Sequence, residues 1–332
     1  MATAVQPERI ARDLRELWAQ LAQDHAETGS ADTGGANTDD ADTGGVLKAC
    51  SMTLVVAAAD DADADRVRET LGALMHQHPS RAIVLRAGTA QDLGARVFAE
   101  CWKPFGKNQQ ICAEGIEITP GGEGVGAAAR FLVPLLVPDL PVVLWCRGAV
   151  DQTYMYRKRF QPLYELAHKI IFDTRGVADA EAGGEFLNGL RAPGRHIADL
   201  HWTRLTGWRE VLAHLFDDGA MEPGLVTSAR VGHGSGAATT CAVYMARWIR
   251  SALPGVRVAM SGEDAPAGIH SVTLETAADT LRLSLAGEGC LQVEGCGRNY
   301  RSLLPPGSEE ALMGAELKIP GADPVFERVL GA

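Results

Sequence analysis

The sequence predicts an α/β protein: a mixed, mainly parallel sheet in a first domain, then a second α+β domain with a partly antiparallel sheet. Three observations lead there. Apolar runs of strand length alternate with helix-period segments between Cys50 and Thr174, the order that builds βαβ units. ARVFAECW and QQICAEGIEI flank the turn Lys103–Asn108, which places an antiparallel hairpin in that sheet and makes it mixed. Beyond VRVAM, the runs IHSVTLET, TLRLSLA and CLQVEGC follow one another without crossover helices, so four short strands are expected to meander there.

At 332 residues, 46% of them hydrophobic, the chain has material for about two domains and is too apolar to be wholly disordered. Ile10, Leu14, Leu17, Trp18 and Leu21 recur at helical spacing behind Pro7, predicting an amphipathic helix within residues 1–26. Residues 27–45 carry no apolar anchor and repeat ADTGG, the composition of a flexible acidic linker. The α/β domain is expected over 46–195. Cys50–Ala58 reads as a buried strand, and Val67, Leu71, Leu74 and Met75 share one face of a helix. Arg81–Ala87 completes the βαβ unit, entered through His78-Pro79-Ser80-Arg81. A glycine-rich stretch at Gly121–Gly126 leads into a helix. Pro141–Cys146 and Lys169–Thr174 are further strands, with a helix around Pro162–Ala167 between them. The α+β domain is expected over 196–332, because RAPGR breaks the pattern between Arg191 and Asp199. It opens with one helix through WTRLTGWREVLAHLFDDG, where Leu205, Trp208, Leu212 and Leu215 line one side and Arg204 and Arg209 lie off it. LVTSARV, a helix through CAVYMARWIRSAL, and VRVAM follow, and SEEALMGAELKI and DPVFERVL close the chain as helices.

The formal net charge of −11 disfavours phosphate backbones and anionic membranes, so neither a nucleic acid nor a membrane is expected as partner. No apolar run has the length of a membrane span; Phe131–Trp145 contains three prolines and an aspartate. The first residues contain no signal-peptide core, and seven cysteines is an odd number. Both point to a cytoplasmic protein with buried thiols.

Chemical motifs are sparse. Gly232-x-Gly234-x-x-Ala237, between a strand and a helix, has the order of a dinucleotide fingerprint, with Glu263 or Asp264 as the ribose acid. A glycine-rich turn that packs a helix closely on a strand explains it equally. His76 and His78 with Cys101 and Cys112 match no zinc spacing, so no metal is expected. Cys101 and Cys112 flank the hairpin turn, where facing thiols could oxidise or simply lie buried. No nucleophile elbow, zincin motif or other catalytic set is present. Asp173 and Arg147 stand at the carboxyl ends of strands, where ligands bind or salt bridges form. Arg157 and Arg159, in the basic cluster Tyr154–Arg159, form either a solvated loop or a docking patch for an acidic partner.

HPSR at 78–81, CWKPFGKNQQICAEGIEI, Asp139–Gly148, IIFDTR and Asp199–Asp217 occur in order, and together they resemble the OpcA family of glucose-6-phosphate dehydrogenase assembly proteins. The resemblance runs from about Leu54 through Leu330, and WTRLTGWRE is its most specific block. Departures are Cys146 where a tryptophan is usual, Gly207 in place of a proline, and the long acidic insert. The resemblance implies a non-catalytic assembly factor or allosteric activator of glucose-6-phosphate dehydrogenase in the oxidative pentose phosphate pathway. It implies a protein partner and no cofactor. Candidate partner-binding or motif residues are Arg81, Arg147, Arg157, Arg159, Trp202, Arg204, Trp208 and Arg209. In some members activation responds to redox state through cysteines, which makes Cys101 and Cys112 the candidate redox pair. The alternative is an enzyme that binds a dinucleotide or sugar phosphate at the Gly232–Ala237 turn.

Overall fold

The computed structural model describes residues 6–31, 45–86, 93–104, 109–120, 125–147, 153–175, 177, 179–234, 239–262, 264–287 and 289–331. The chain forms two compact units, Met1–Gly148 with Tyr154–Ile171, and Ala149–Thr153 with Phe172–Ala332.

The first unit begins with helix α1 (Pro7–Ala31), which buries Ile10 and Leu14 and runs five residues past its expected end. Residues 32–44 of the expected linker lie outside the described residues. Strands β1 (Val46–Lys48), β2 (Met52–Ala57), β3 (Ser80–Leu85), β4 (Leu93–Trp102), β5 (Gln110–Pro120), β6 (Val142–Cys146) and β7 (Lys169–Phe172) form its sheet. Their order is β1-β5-β3-β2-β6-β7, parallel throughout, with β4 antiparallel on β5. Every residue of β2 and β6 is buried, as expected of parallel strands with both faces covered. Helix α2 (Asp61–Gln77) makes the crossover from β2 to β3 and buries the predicted Val67, Leu71, Leu74 and Met75. Asp60 starts it by accepting a hydrogen bond from the Asp63 amide. Helix α3 (Val125–Leu132) continues into a short 3-10 turn, Val133–Leu135.

Helix α4 (Thr153–Leu166) is longer than the sequence predicts and takes in the cluster Tyr154–Arg159, so that cluster is helical and not a loop. The side chains of Arg157 and Arg159 lie outside the described residues, as do 105–108 of the hairpin turn and 121–124 of the glycine-rich stretch.

The second unit holds two elements the sequence did not reveal, helix α5 (Ala180–Gly189) and strand β8 (His196–Asp199). The helix expected through WTRLTGWREVLAHLFD is two: α6 (Leu200–Arg204) and α7 (Thr206–Asp217). Leu205 closes α6 with a tight bond from its amide to the Trp202 carbonyl, which redirects the chain before α7 starts. Strand β9 (Ser228–His233), helix α8 (Thr240–Ala252) and strand β10 (Arg257–Gly262) form a parallel βαβ unit. An antiparallel meander follows: β11 (Ile269–Glu275), β12 (Thr280–Leu285), β13 (Cys290–Gly295) and β14 (Arg298–Leu303). The sheet order is β10-β9-β11-β12-β13-β14. Helices α9 (Glu309–Leu317) and α10 (Pro324–Leu330) end the chain, capped by Ser308 and Asp323. Among the described residues no helix is long and apolar enough to cross a membrane.

Candidate functional site

In the first sheet the chain steps from β2 outward through β3 to β5, then returns to β6 on the other side of β2. The strand order therefore reverses between β2 and β6, and the crevice at their carboxyl ends is where open α/β sheets receive ligands. Side chains of the protein occupy that place. Arg147, just after β6, reaches Asp63 in the first turn of α2, with Nε 2.9 Å and Nη2 2.7 Å from its carboxylate oxygens. Asp63 also accepts from the Ala59 amide at 3.0 Å, and its own amide donates to Asp60 at 2.7 Å. Burial would raise the Asp63 pKa, but the Arg147 fork, the Ala59 amide and Arg66 together outweigh it and the net shift is downward. Arg147 also stacks 4.6 Å from the Trp145 ring centroid. In a dinucleotide site the corresponding amides meet a pyrophosphate beside glycines. Here carboxylates hold them.

A second arginine of the candidate set, Arg81, is equally engaged. Its Nε donates to Glu114 at 2.6 Å and its Nη1 to the Leu135 carbonyl at 2.8 Å. Glu114 is buried and also receives Lys48 and the Trp18 indole, each at 2.7 Å, which ties α1 to the sheet. Cys101 and Cys112 stand opposite each other in the β4–β5 ladder and are joined as a disulfide, with Cα atoms 4.1 Å apart. The expectation of buried free thiols fails for this pair, because antiparallel register brings opposed residues this close. Cys50, Cys146, Cys241, Cys290 and Cys296 are free.

The WTRLTGWRE block forms a dense polar core within the second unit. Arg204 grips Asp173 with both ends of its guanidinium, at 3.0 and 2.9 Å. Burial alone would raise the Asp173 pKa; Arg204, assisted by Arg175, brings it down to about 2. Asp199 is fully buried and accepts from the Thr174 hydroxyl at 2.6 Å, the Tyr244 hydroxyl at 2.9 Å and the His201 amide at 2.9 Å. Burial pushes its carboxyl up to about 6 against those hydrogen bonds. Burial also pushes His201 down to about 4 and leaves its Nδ1 without a hydrogen-bond partner. Trp202 donates to Asp323 at 2.7 Å, stacks on Phe326, and carries the Arg209 guanidinium 3.7 Å from its ring centroid. Trp208 is buried in the apolar stripe with Leu212 and Leu215. Gly207, where a proline was expected, is required by space: a Cβ there would lie 2.6 Å from Pro305 Cδ.

The fingerprint glycine Gly234 has a similar role. A Cβ on it would meet the Pro266 carbonyl oxygen at 2.0 Å, so this glycine lets two backbone segments touch. Residues 235–238 and Glu263 lie outside the described residues. Sequence reasoning missed Asp63, Glu114, Asp199 and Tyr244. Only Asp199 had a local signal, as an N-cap acid in front of α6.

Fold and site define the class: a two-unit protein, a doubly wound α/β unit and an α+β unit, whose strand-end arginines are held in internal ion pairs. The domain models of the glucose-6-phosphate dehydrogenase subunit match it in two parts, the N-terminal domain at residues 72–188 and the C-terminal domain at 195–330. The chain belongs to the OpcA family. It is 29% identical over 219 residues to a protein of Synechococcus elongatus named OxPP cycle protein OpcA, covering 64% of this chain and 48% of the relative. A Synechocystis protein of the same name is 23% identical over 314 residues, covering 80% and 65%. The chain thus spans about half to two thirds of the length of these relatives. Among solved structures it is similar to the aldose–aldose oxidoreductase of Caulobacter crescentus complexed with glycerol, at 10% identity and a TM-score of 0.49, covering 84% of this chain and 94% of that one. The 3-ketoreductase KijD10 of Actinomadura kijaniata, in complex with NADP and TDP-benzene, gives 11% identity and 0.48 with the same coverage. Neither likeness is close enough to carry ligands or chemistry across.

Proposed function

We infer that this protein is a non-catalytic assembly factor or allosteric activator of glucose-6-phosphate dehydrogenase, acting in the cytoplasm in the oxidative pentose phosphate pathway. The family membership of both parts of the chain supports the partner. The observation that carries the non-catalytic reading is the Asp63–Arg147 pair, which fills the strand-order crevice with its own charges. A nucleotide phosphate would have to displace Arg147 from Asp63 and face Asp60 and Asp61 beside it. Gly234, the centre of the alternative dinucleotide reading, is accounted for by its approach to Pro266.

An activator binds the active form of its enzyme better than the inactive one, and typical couplings amount to about 1–3 kcal/mol. Purified protein titrated into the glucose-6-phosphate dehydrogenase of the same organism is expected to change its apparent substrate affinity or its mass. The protein alone is expected to show no dehydrogenase activity and no calorimetric signal with NADP. Unchanged kinetics and mass would refute the activator reading, and a stoichiometric nucleotide complex would favour the enzyme reading.

A further inference from the structure

The six-stranded sheet of the second unit has two unlike faces. Helix α8 packs against β9 and β10 on one of them. On that face Val231, Val272, Leu283 and Val293 form a buried row across four strands. Neighbouring residues alternate to the other face. There the register aligns Arg230, Thr273, Arg282 and Glu294 in one row, and buried Ser271, half-buried Ser284 and Gln292, and exposed Arg301 in the next. Arg257 stands at the β10 edge, paired in register with Ser228.

Arg230, Arg257, Arg282 and Arg301 are all exposed, against two carboxylates on this face among the described residues, Glu275 and Glu294. Glu275 is engaged by the Ser228 hydroxyl, and Arg301 donates to Gln292 at 3.3 Å. Among the described residues, no carboxylate lies within ion-pair distance of Arg230, Arg257 or Arg282. A positive plate has therefore been set apart on a protein whose net charge is −11.

We propose that this open sheet face is the docking surface for an acidic patch on the partner dehydrogenase; the proposal rests on the functional reading above. The face measures about 24 Å across six strands by about 20 Å along them, roughly 500 Å². That is a little under two thirds of the ~800 Å² that each partner contributes to a stable interface. Arginines gathered on one face, without an ion-pair partner among the described residues, steer and select an acidic partner. A second copy fits poorly, because stacking two such faces sets arginine against arginine.

The test uses the full chain carrying Arg230→Glu with Arg282→Glu, and a control, Arg12→Glu with Lys318→Glu, that changes charge equally at other exposed sites. Binding to the glucose-6-phosphate dehydrogenase of the same organism is measured by surface plasmon resonance at low and physiological salt, with melting temperatures alongside. The sheet variant is expected to bind at least fivefold more weakly and to lose most of its salt dependence, while the control binds as wild type. If the reversal lowers the melting temperature, Arg230→Ser with Arg282→Ser is measured instead, and a loss of at least twofold is expected. Smaller losses, or an equal loss in the control, overturn this surface and leave the functional reading standing. A wild-type chain that does not bind the dehydrogenase overturns both. A homodimer that the reversal dissociates puts a second copy on the face and also overturns the proposal.

Discussion

Arg204→Ala isolates the best-defined ion pair of the second unit. Arg204 and Asp173 have side chains only 17% and 18% exposed, and two parallel hydrogen bonds join them. Against the cost of burial, Arg204, with Arg175, holds Asp173 at about 2, well below an ordinary 3.8. At about 1.36 kcal/mol per pKa unit, that is on the order of 2 kcal/mol of stability at neutral pH. Arg175, which is 56% exposed and donates to the same carboxylate, recovers part of it, so a loss of about 1–2 kcal/mol is expected. For a unit of this size, that lowers the melting temperature by about 4–6 °C. The folded pKa is depressed, so the contribution is complete above 3.8 and disappears as pH falls through 3.8 toward 2. Melting curves followed by circular dichroism at pH 7, 4, 3 and 2.5 therefore show wild type and variant converging over the last steps. A gap that stays constant down to pH 2.5, or no gap at pH 7, refutes the reasoning. Arg204→Lys, which cannot form the fork, is expected to fall between the two.

Two further outcomes follow from the same unit. Gly234→Ala places a methyl group 2.0 Å from the Pro266 carbonyl oxygen, so calorimetry is expected to show a loss of about 2 kcal/mol or more, and an unchanged melt contradicts that packing. His201 is held at about 4 from an ordinary 6.5, so its contribution is complete above 6.5 and is lost as pH falls through 4. Asp199 is raised to about 6 from 3.8, so its contribution is complete below 3.8 and is lost as pH rises through 6. Between pH 4 and 6 the two slopes offset each other. In His201→Leu only the Asp199 slope remains, and urea titrations are expected to show the variant gaining stability from pH 6 to pH 4, where wild type stays flat.

The regular elements were legible wherever burial imposed a period. β2, α2, β3 and the βαβ unit of β9, α8 and β10 follow from runs and stripes that local spacing reveals. Helix α5 was not legible, because AEAGGEFLNG has two central glycines and poor helix propensity. Its Asp179 cap and the packing of Gly183, where a Cβ would lie 3.0 Å from Val177, hold it in place instead. The break at Leu205 left no trace in an apolar stripe that continues across it. Site residues divide in the same way. Arg147 and Asp173 were placed at strand ends correctly, but Asp63 lies 84 residues from Arg147 and no local pattern links them. Arg204 was read as lying off the apolar stripe and as a candidate partner-binding or motif residue; in the structure its guanidinium grips Asp173. Asp199 draws its partners from Thr174 and Tyr244, each on a different element, which only the folded chain brings together.

Trp202 depends on residues that are synthesised late. Its indole bonds Asp323, 121 residues further on, and Phe326 forms the ring stacked against it. At roughly 5–20 residues per second, about 6–24 s of translation separate the tryptophan from the groups that cover it. Once α6 has emerged from the ribosome, its largest apolar side chain lacks, for the rest of that interval, the ring that will cover it. The period of aggregation risk for this half of the molecule therefore cannot be shorter than the time synthesis takes to deliver those groups. Slow codons between Trp202 and Asp323 would extend it in proportion, so the messenger sequence across the sheet region bears on the yield of folded protein.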